Sequence, residues 1–399
     1  RSVTAWSTRA DHATLSCCLV DRDELAAWLR LTLSEGVGNE SARRLLAAFG
    51  LPQAIFSQSL AALEQVVSAP QAAQLLADPE GLAPLLETTW AWLQGQDETG
   101  QRRIITLGDP AYPASLLATE DPPLLLYMMG QALDAHALSR CVAIVGSRNP
   151  TPQGEANAQQ FAKALAGAGL TVVSGMALGV DGAAHRGALE GAAAGQLATI
   201  AVVGTGLDRV YPKRHLALAH AIARQGVIVS EYPLGTPPLA PNFPKRNRII
   251  AGLGAGTLVV EAALQSGSLI TARMAVEQGK DVFAIPGSIH SPQSRGCHLL
   301  LKQGAKLVES AQDVLEELRL DSPAMPAAQM EPSSAEATAN TARHAPLLRV
   351  LGFDPVGLDA LVARTGMDAA TLQAHLLELE LEGHVGRLPG GLFQRSASA

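Results

Sequence analysis

The chain has 399 residues and a formal net charge of −7, with 30 Lys and Arg against 37 Asp and Glu. The length predicts two or three domains, and the content of 47 % apolar and 17 % charged residues allows a large core to be buried. No apolar run approaches the roughly 18 residues of a membrane span, and no signal-peptide pattern is visible. The four cysteines form no CxxC pair, so we expect reduced thiols in a cytoplasmic protein.

The N-terminal part of the chain predicts a small helical domain. Residues 1–20 lack apolar periodicity, and we expect a disordered extension there. Over 21–100, apolar residues recur at helical spacing on both sides of Gly36-Val37-Gly38, as in a SAM-like or helix-hairpin-helix-like unit. Such a turn can hold a DNA phosphate on its backbone amides. Glu35 and Glu40 flank the turn, however, and favour a plain packing role.

Strands and helices alternate through the central region, 101–320. Its strands are rich in β-branched residues and buried on both faces, which is typical of a parallel sheet covered by helices. Ligands of such folds bind beyond the carboxyl ends of the strands. The predicted strands lie at 104–107, 124–127, 142–145, 171–174, 199–203, 227–229, 257–260 and 282–285.

Two further segments complete the chain. Residues 321–344 are rich in Pro, Ala, Ser and Glu, a composition that predicts a flexible linker. Residues 345–399 then predict three helices and a β-hairpin, which indicates a winged helix. This domain has four arginines against six acidic residues, and its third helix is acidic, which disfavours duplex binding. We expect a protein-contact role or a structural remnant.

The charge of the chain reverses locally within the central region. Residues 205–250 contain seven Lys and Arg against only Asp208 and Glu231, an excess of five positive charges in an acidic protein. Three of these cations, Lys245, Arg246 and Arg248, stand within four residues and follow Phe243. Such a local reversal indicates a partner that carries phosphate.

Small and basic residues follow the predicted strands. Gly146, Ser147 and Arg148 come directly after the first buried strand, where a glycine lets a ligand approach and a guanidinium can grip phosphate. Ser266-Gly267-Ser268 opens a predicted helix whose free amides favour an anion. Each of these features also has a structural explanation, a surface turn or a helix N-cap.

Other motifs argue against familiar enzyme classes. Asp181 and His185 lie four residues apart on one helical face, but no third ligand is visible, so we favour a structural role for the pair. The Gly204-Thr205-Gly206 turn does not complete a dinucleotide fingerprint, and no P-loop occurs. No nucleophile has an evident base.

Together these segments resemble the DNA-processing protein A (DprA/Smf) family over about 104–310. The order of many separate motifs makes the resemblance specific. The motifs are Val142–Arg148, Ser174–Asp181 with His185, Phe243–Ala251, Val260–Ala262, Ser266–Ser268, Thr271-Ala272 and Ala284–Gly287.

The resemblance implies an α/β protein with an extended Rossmann-like sheet, a helical N-terminal domain and a C-terminal winged helix. It also implies a non-catalytic protein that binds single-stranded DNA, loads RecA recombinase during natural transformation, and forms a homodimer through the Rossmann-like domain. No cofactor or metal is expected. The resemblance implies a strand-binding pocket of Arg148, Lys213 and Lys245–Arg248, with Ser266–Ser268 beside it. Together with the residues that the strand ends and the basic cluster indicate, the candidate DNA-binding residues are Gly146, Ser147, Arg148, Lys213, Arg214, Phe243, Lys245, Arg246, Asn247, Arg248, Ser266, Gly267, Ser268 and Thr271.

One enzymatic alternative stays open. The same Rossmann variant resembles that of phosphoribohydrolases acting on nucleoside monophosphates, which place a glutamate near a phosphate-binding loop. Here Glu261 precedes Ser266-Gly267-Ser268, but the P-G-G-x-G-T-x-x-E segment of those enzymes is absent. Free-base release distinguishes this alternative from strand binding.

Overall fold

The structure is a computed structural model that describes residues 21–95, 100–133, 135–319, 344, 346–352, 355–388 and 390–395. The predicted extension at 1–20 lies outside the described residues. So does the predicted linker at 321–344 except His344, which is buried against the C-terminal domain beside the ring of His375. Within these ranges no helix is long and apolar enough to cross a membrane.

The N-terminal domain is helical, as predicted. Asp21 begins its first helix by accepting a hydrogen bond from the amide of Glu24 at 2.7 Å. Trp28 and Leu45 are buried between the helices. The helices are α1 (Arg22–Leu33), α2 (Asn39–Phe49), α3 (Pro52–Phe56), α4 (Leu60–Glu64), α5 (Ala69–Leu76) and α6 (Leu82–Gln94).

A nine-stranded sheet forms the centre of the molecule, and its order is β1-β2-β6-β5-β4-β3-β7-β8-β9. The strands from β6 to β9 pair in parallel, whereas β1 and β2 form an antiparallel edge that joins β6. The strands are β1 (Gln101–Thr106), β2 (Leu125–Gly130), β3 (Cys141–Val145), β4 (Thr171–Ser174), β5 (Thr199–Val202), β6 (Val227–Ser230), β7 (Gly256–Val259), β8 (Asp281–Ala284) and β9 (Lys306–Leu307).

Helices cover the sheet, and the mixed α/β class with its largely parallel sheet is confirmed. The parallel strands β3 to β7 are buried along their length because helices pack on both faces. The helices are α7 (Ala114–Leu117), α8 (Ala135–Ser139), α9 (Pro152–Gly167), α10 (Val180–Gly191), α11 (Leu216–Gln225), α12 (Asn242–Leu253), α13 (Ser268–Glu277), α14 (Arg295–Lys302) and α15 (Ala311–Leu318).

The strand order reverses beside β3. From β3 the chain adds β4, β5 and β6 on one side, and it then returns through α12 to place β7 on the other side. The loops that follow β3 and β7 therefore leave the sheet in opposite directions. Such a switch point opens a crevice at the carboxyl ends of the strands.

The C-terminal domain is a winged helix, as predicted, with one strand that the sequence did not indicate. Its elements are α16 (346–351), β10 (Val356–Gly357), α17 (Leu358–Thr365), α18 (Ala369–Leu381), β11 (Val385–Leu388) and β12 (Leu392–Arg395). β10 pairs with β12, so the sheet has three strands rather than two. Gly386 of β11 lies against Pro152, at the start of α9.

Helices α9 and α10 pack backbone to backbone on one face of the sheet. A Cβ built at Gly187 would lie 2.0 Å from the carbonyl oxygen of Gln159, and one at Gly191 would lie 2.1 Å from that of Lys163. These glycines therefore set the separation of the two helices. At Gly167 the nearest atom would be 3.6 Å away, an ordinary contact.

Gly187→Ala is expected to lower the free energy of unfolding by about 1–3 kcal/mol, because the added methyl group forces two packed backbones apart. Urea unfolding followed by circular dichroism measures the change. Gly167→Ala is the matched control, and it should be neutral or slightly stabilising. Equal stabilities of the two variants would contradict this packing.

Candidate nucleic-acid interface

A cleft of about 530 Å³ opens at the switch point of the sheet. Its walls come from the loop after β3, the first turns of α12, and the segment from the loop after β7 into α13. Ten of the residues predicted from the sequence line it. They are Gly146, Ser147, Arg148, Phe243, Arg246, Asn247, Ser266, Gly267, Ser268 and Thr271.

Arg148 and two aromatic rings form the exposed side of the cleft. Arg148 is exposed, and its guanidinium carbon lies 5.8 Å from the centroid of the Phe243 ring. Phe243 in turn packs against Tyr211, with ring centroids 5.6 Å apart. Arg148 makes no ion pair with any residue that the structure describes, so its charge is available to a ligand.

The side chain of Arg246, unlike that of Arg148, is buried under the cleft. It is 4 % exposed and donates hydrogen bonds to the carbonyl oxygens of Gly175, at 2.6 Å, and Val202. Burial lowers the pKa of Arg246 to about 10, and the nearby Asp181 carboxylate opposes this shift. The guanidinium therefore stays charged at neutral pH and adds positive potential beneath the cleft.

Asp181 balances this buried arginine. Its carboxylate is 8 % exposed, lines the cleft, and accepts a hydrogen bond from the amide of Ala177 at 3.2 Å. Burial raises the pKa of Asp181, whereas Arg246 and Arg148 lower it. Removal of either charge would leave its partner buried and uncompensated.

The opposite wall of the cleft is the start of α13. The hydroxyls of Ser266 and Ser268 are hydrogen-bonded at 2.6 Å, and no side chain caps the helix. The side-chain amide of Asn247 reaches the carbonyl oxygen of Gly267 at 3.4 Å and joins this wall to α12. A helix N-terminus of this kind favours negative charge.

Four predicted residues lie outside the cleft. Lys213 and Arg214 are exposed in a short turn beside Tyr211, next to the aromatic side of the cleft. Lys245 is exposed on another face of α12 and lines a second cavity. Arg248 is buried and bonded to Asp121, at 2.9 Å, and to Glu231, which occupy its guanidinium. Arg248 is therefore positioned to stabilise the fold rather than to contact a strand.

Two further residues from the sequence analysis have structural partners. Glu261 accepts hydrogen bonds from the amide and the hydroxyl of Thr151, at 2.9 and 2.6 Å, and so caps α9. His185 is fully buried, bonds to the hydroxyl of Thr199 at 2.7 Å, and has its pKa lowered to about 3 by burial. Within the described ranges no group of three or more His, Cys, Asp or Glu side chains could hold a metal ion.

Sequence reasoning missed three residues of this site. Asp181 was interpreted as structural, yet it lines the cleft beside Arg246. Tyr211 is not among the predicted residues, although an aromatic before Pro212 and Lys213 could have indicated a stacking surface. Gln293 reaches the cleft from a distant loop and bonds to the carbonyl of Asn149 at 3.2 Å, and no local pattern signals this contact.

Arg248→Ala is expected to lower the free energy of unfolding by about 3–5 kcal/mol, because it leaves Glu231 buried without its partner. Burial already raises the pKa of Glu231, and loss of the arginine raises it further. The folded variant then binds a proton more readily than the unfolded chain, so the deficit should be smaller at about pH 5 than at about pH 8.

Urea unfolding at both pH values measures this effect, with Arg273→Ala as the control. Arg273 is exposed on α13, and its replacement should change stability by less than about 0.5 kcal/mol. A deficit of Arg248→Ala that grows as the pH falls would contradict the ion pair.

Comparison with known proteins shows that the region containing the cleft matches a known family. The family model described as DNA recombination-mediator protein A matches residues 103–319. A second model, described as the DprA winged helix domain, matches residues 330–391.

Individual relatives agree over most of the chain. Protein Smf of Escherichia coli K12 is 42 % identical over 308 residues, which cover 77 % of this chain and 80 % of that protein. Protein Smf of Synechocystis is 33 % identical over 410 residues and covers 93 % and 99 %. The X-ray structure of DNA processing protein A from Streptococcus pneumoniae has a TM-score of 0.61 at 35 % identity, over 75 % of this chain and 98 % of that one.

Proposed function

The chain belongs to the DNA-processing protein A family, and from that membership we propose that its cleft binds single-stranded DNA. We further propose that the bound strand is protected and passed to RecA recombinase during natural transformation. The proposed strand-contact residues are the ten that line the cleft, together with Lys213, Arg214 and Lys245 beside it.

The observation that carries this proposal is the position of an exposed arginine over one of two aromatic rings that pack against each other. Arg148 lies over Phe243, and Phe243 lies against Tyr211, at the open side of the cleft. Single strands are bound without sequence preference where cations meet the phosphates and aromatic rings stack on the bases. A rigid duplex keeps its bases stacked inside, so it cannot use the rings in this way.

Most groups that line the cleft suit contact with the phosphate backbone of a nucleic-acid strand. Serine hydroxyls, the uncapped start of α13 and Arg148 all suit phosphate oxygens. These contacts carry no sequence information, so we infer a weak sequence preference at the cleft.

The geometry favours binding over the phosphoribohydrolase alternative. That reaction would need Glu261 beside the ligand, but both of its carboxylate oxygens are bonded to Thr151 at the start of α9. Glu261 also fills the space beside Gly154, where a Cβ would lie 2.3 Å from its carboxyl carbon. This glutamate is thus held as a helix cap, and we infer a protein without catalytic activity.

Partner contacts form a second part of the proposal. We infer a homodimer through the Rossmann-like domain, and exposed apolar side chains there, Ile289 and Leu299, are suited to such a contact. They flank a hydrogen bond at 3.0 Å between His298 and the carbonyl of Gly287, which joins α14 to the loop after β8. We also infer that the protein is cytoplasmic and that RecA is a partner there.

The winged helix is proposed to contact protein. Its third helix, α18, contains no Lys or Arg, and it exposes Leu377 and Leu381 beside several glutamates. Phosphates would be repelled by such a surface, whereas an apolar and acidic face suits a protein partner.

Arg148→Ala and Lys245→Ala are each expected to weaken binding of a single-stranded oligonucleotide by about 1–3 kcal/mol, the range for hydrogen bonds to charged groups. Titration of a fluorescent oligonucleotide at fixed salt measures the loss. Both side chains are exposed, so thermal unfolding should be unchanged. Equal affinities of the wild type and the double variant would refute this site.

Arg273→Ala is the matched control, since it removes an exposed arginine of the same domain outside the cleft. A parallel assay for free base released from nucleotides tests the enzymatic alternative. Release that depends on Glu261 would favour that alternative over strand binding.

Deletion of residues 321–399 is expected to leave oligonucleotide affinity within about threefold, because the removed domain has a net negative charge and adds little attraction for phosphate. Full-length and truncated proteins are titrated at matched salt. A tenfold or larger loss would show that the tail binds DNA despite its charge.

A further inference from the structure

A second cavity of about 140 Å³ lies between the helical domain and the Rossmann-like domain. One wall is the glycine turn before α2, with Val37 and Asn39. The other is formed by Tyr127 of β2 and by Glu231 and Tyr232 after β6. The cavity therefore joins two features that the strand-binding cleft does not use, the turn and the domain boundary.

The lining combines apolar walls with a few polar groups, as in small-ligand sites. Val37 supplies apolar surface, and Asn39 supplies a carboxamide. Glu231 is 7 % exposed, and one of its oxygens bonds to Arg248. Its other oxygen and the Tyr127 hydroxyl have almost no accessible surface, and Tyr232 and Thr89 lie beside them. The polar groups that an occupant of the cavity can reach are therefore the half-buried carboxamide of Asn39 and the exposed ammonium of Lys245.

Size and charge restrict the occupant. The volume is well below the roughly 300–1,000 Å³ of drug-sized ligand sites, so a whole nucleotide is too large and a single ring is suitable. Arg248 neutralises the carboxylate of Glu231, and the exposed Lys245 lies at the same cavity. A flat ring whose edge can hydrogen-bond with the Asn39 carboxamide, attached to a phosphate that can meet Lys245, satisfies both conditions. A nucleobase is such a group.

The cavity and the cleft are lined by different faces of α12. Phe243 and Pro244 line the cleft, and the next residue, Lys245, lines the cavity, so the first turns of α12 separate the two. A helix is about 10 Å across, which corresponds to about three stacked nucleotide steps of roughly 3.4 Å. A strand that leaves the cleft over α12 reaches the cavity within a few nucleotides.

We propose that the cavity is a second subsite for the bound strand, which accepts one nucleobase two to four nucleotides (about one helix width) from the phosphate at Arg148. Lys245 meets the phosphate between the two subsites, and the edge of the base meets the carboxamide of Asn39. The inference rests on the proposed strand binding, and it gives the helical domain a direct part in that binding.

The test is an abasic scan of an oligonucleotide of about five nucleotides, just long enough to span the two subsites, so that the strand cannot shift its register to avoid an abasic position. Each base is removed in turn, and affinity is measured by fluorescence titration with the full chain. Stacking and burial of one base contribute about 1–3 kcal/mol. We expect one position, a few nucleotides from the cleft, where base removal weakens wild-type binding at least fivefold. Asn39→Trp, which blocks the cavity, should abolish the effect at this position while Arg148-dependent binding persists.

Leu60→Trp is the matched control, since it adds the same ring at an exposed site of the helical domain away from the cavity. It should behave as the wild type in the scan. A photoreactive 5-iodouracil at the sensitive position should crosslink to a peptide that contains Tyr127 or Tyr232, a readout that needs no variant.

The proposed strand binding and the proposed subsite can be contradicted separately. A wild type that binds no oligonucleotide, or binds it without dependence on Arg148, overturns the proposed function. Binding that depends on Arg148 but gives the same scan for the wild type and Asn39→Trp overturns the subsite alone.

Discussion

The buried guanidinium of Arg246 holds the site together. It donates to the carbonyl oxygens of Gly175 and Val202, which follow β4 and end β5, and so fixes the first turns of α12 over the sheet. Asp181 faces the same guanidinium and offsets part of the cost of its burial. The absence of a side chain at Gly175 is required, since a Cβ there would lie 2.5 Å from the guanidinium.

This arrangement divides the basic cluster of α12 by role. One helical turn presents successive side chains in different directions. Arg246 points into the protein, Lys245 faces the cavity at the domain boundary, and Arg248 closes an ion pair with Glu231. Arg246 lines the cleft from below, whereas the less buried α12 residues there, Phe243, Pro244 and Asn247, carry no charge. Free charge for a strand therefore comes mainly from Arg148 on the other wall.

The sequence predicted the architecture and most of the residues around the cleft, but it did not indicate which of the cations are buried. Strand positions, the winged helix and ten cleft residues followed from β-branched runs, turn residues and motif order. The burial of Arg246 and Arg248 could not be predicted, because their carbonyl and carboxylate partners come from segments that are distant in the sequence. A run of cations indicates a phosphate ligand only until the fold shows which charges are neutralised inside the protein.

The central claim is that Arg148 contacts a DNA phosphate in the cleft. The most direct measurement is oligonucleotide affinity at a series of salt concentrations for the wild type and Arg148→Ala. Each phosphate contact contributes a slope of about −0.7 to a plot of log affinity against log salt for single strands. The account predicts a linear fall for the wild type and a slope shallower by about one contact for the variant. A slope that is the same for both proteins, or a flat line for the wild type, would contradict it.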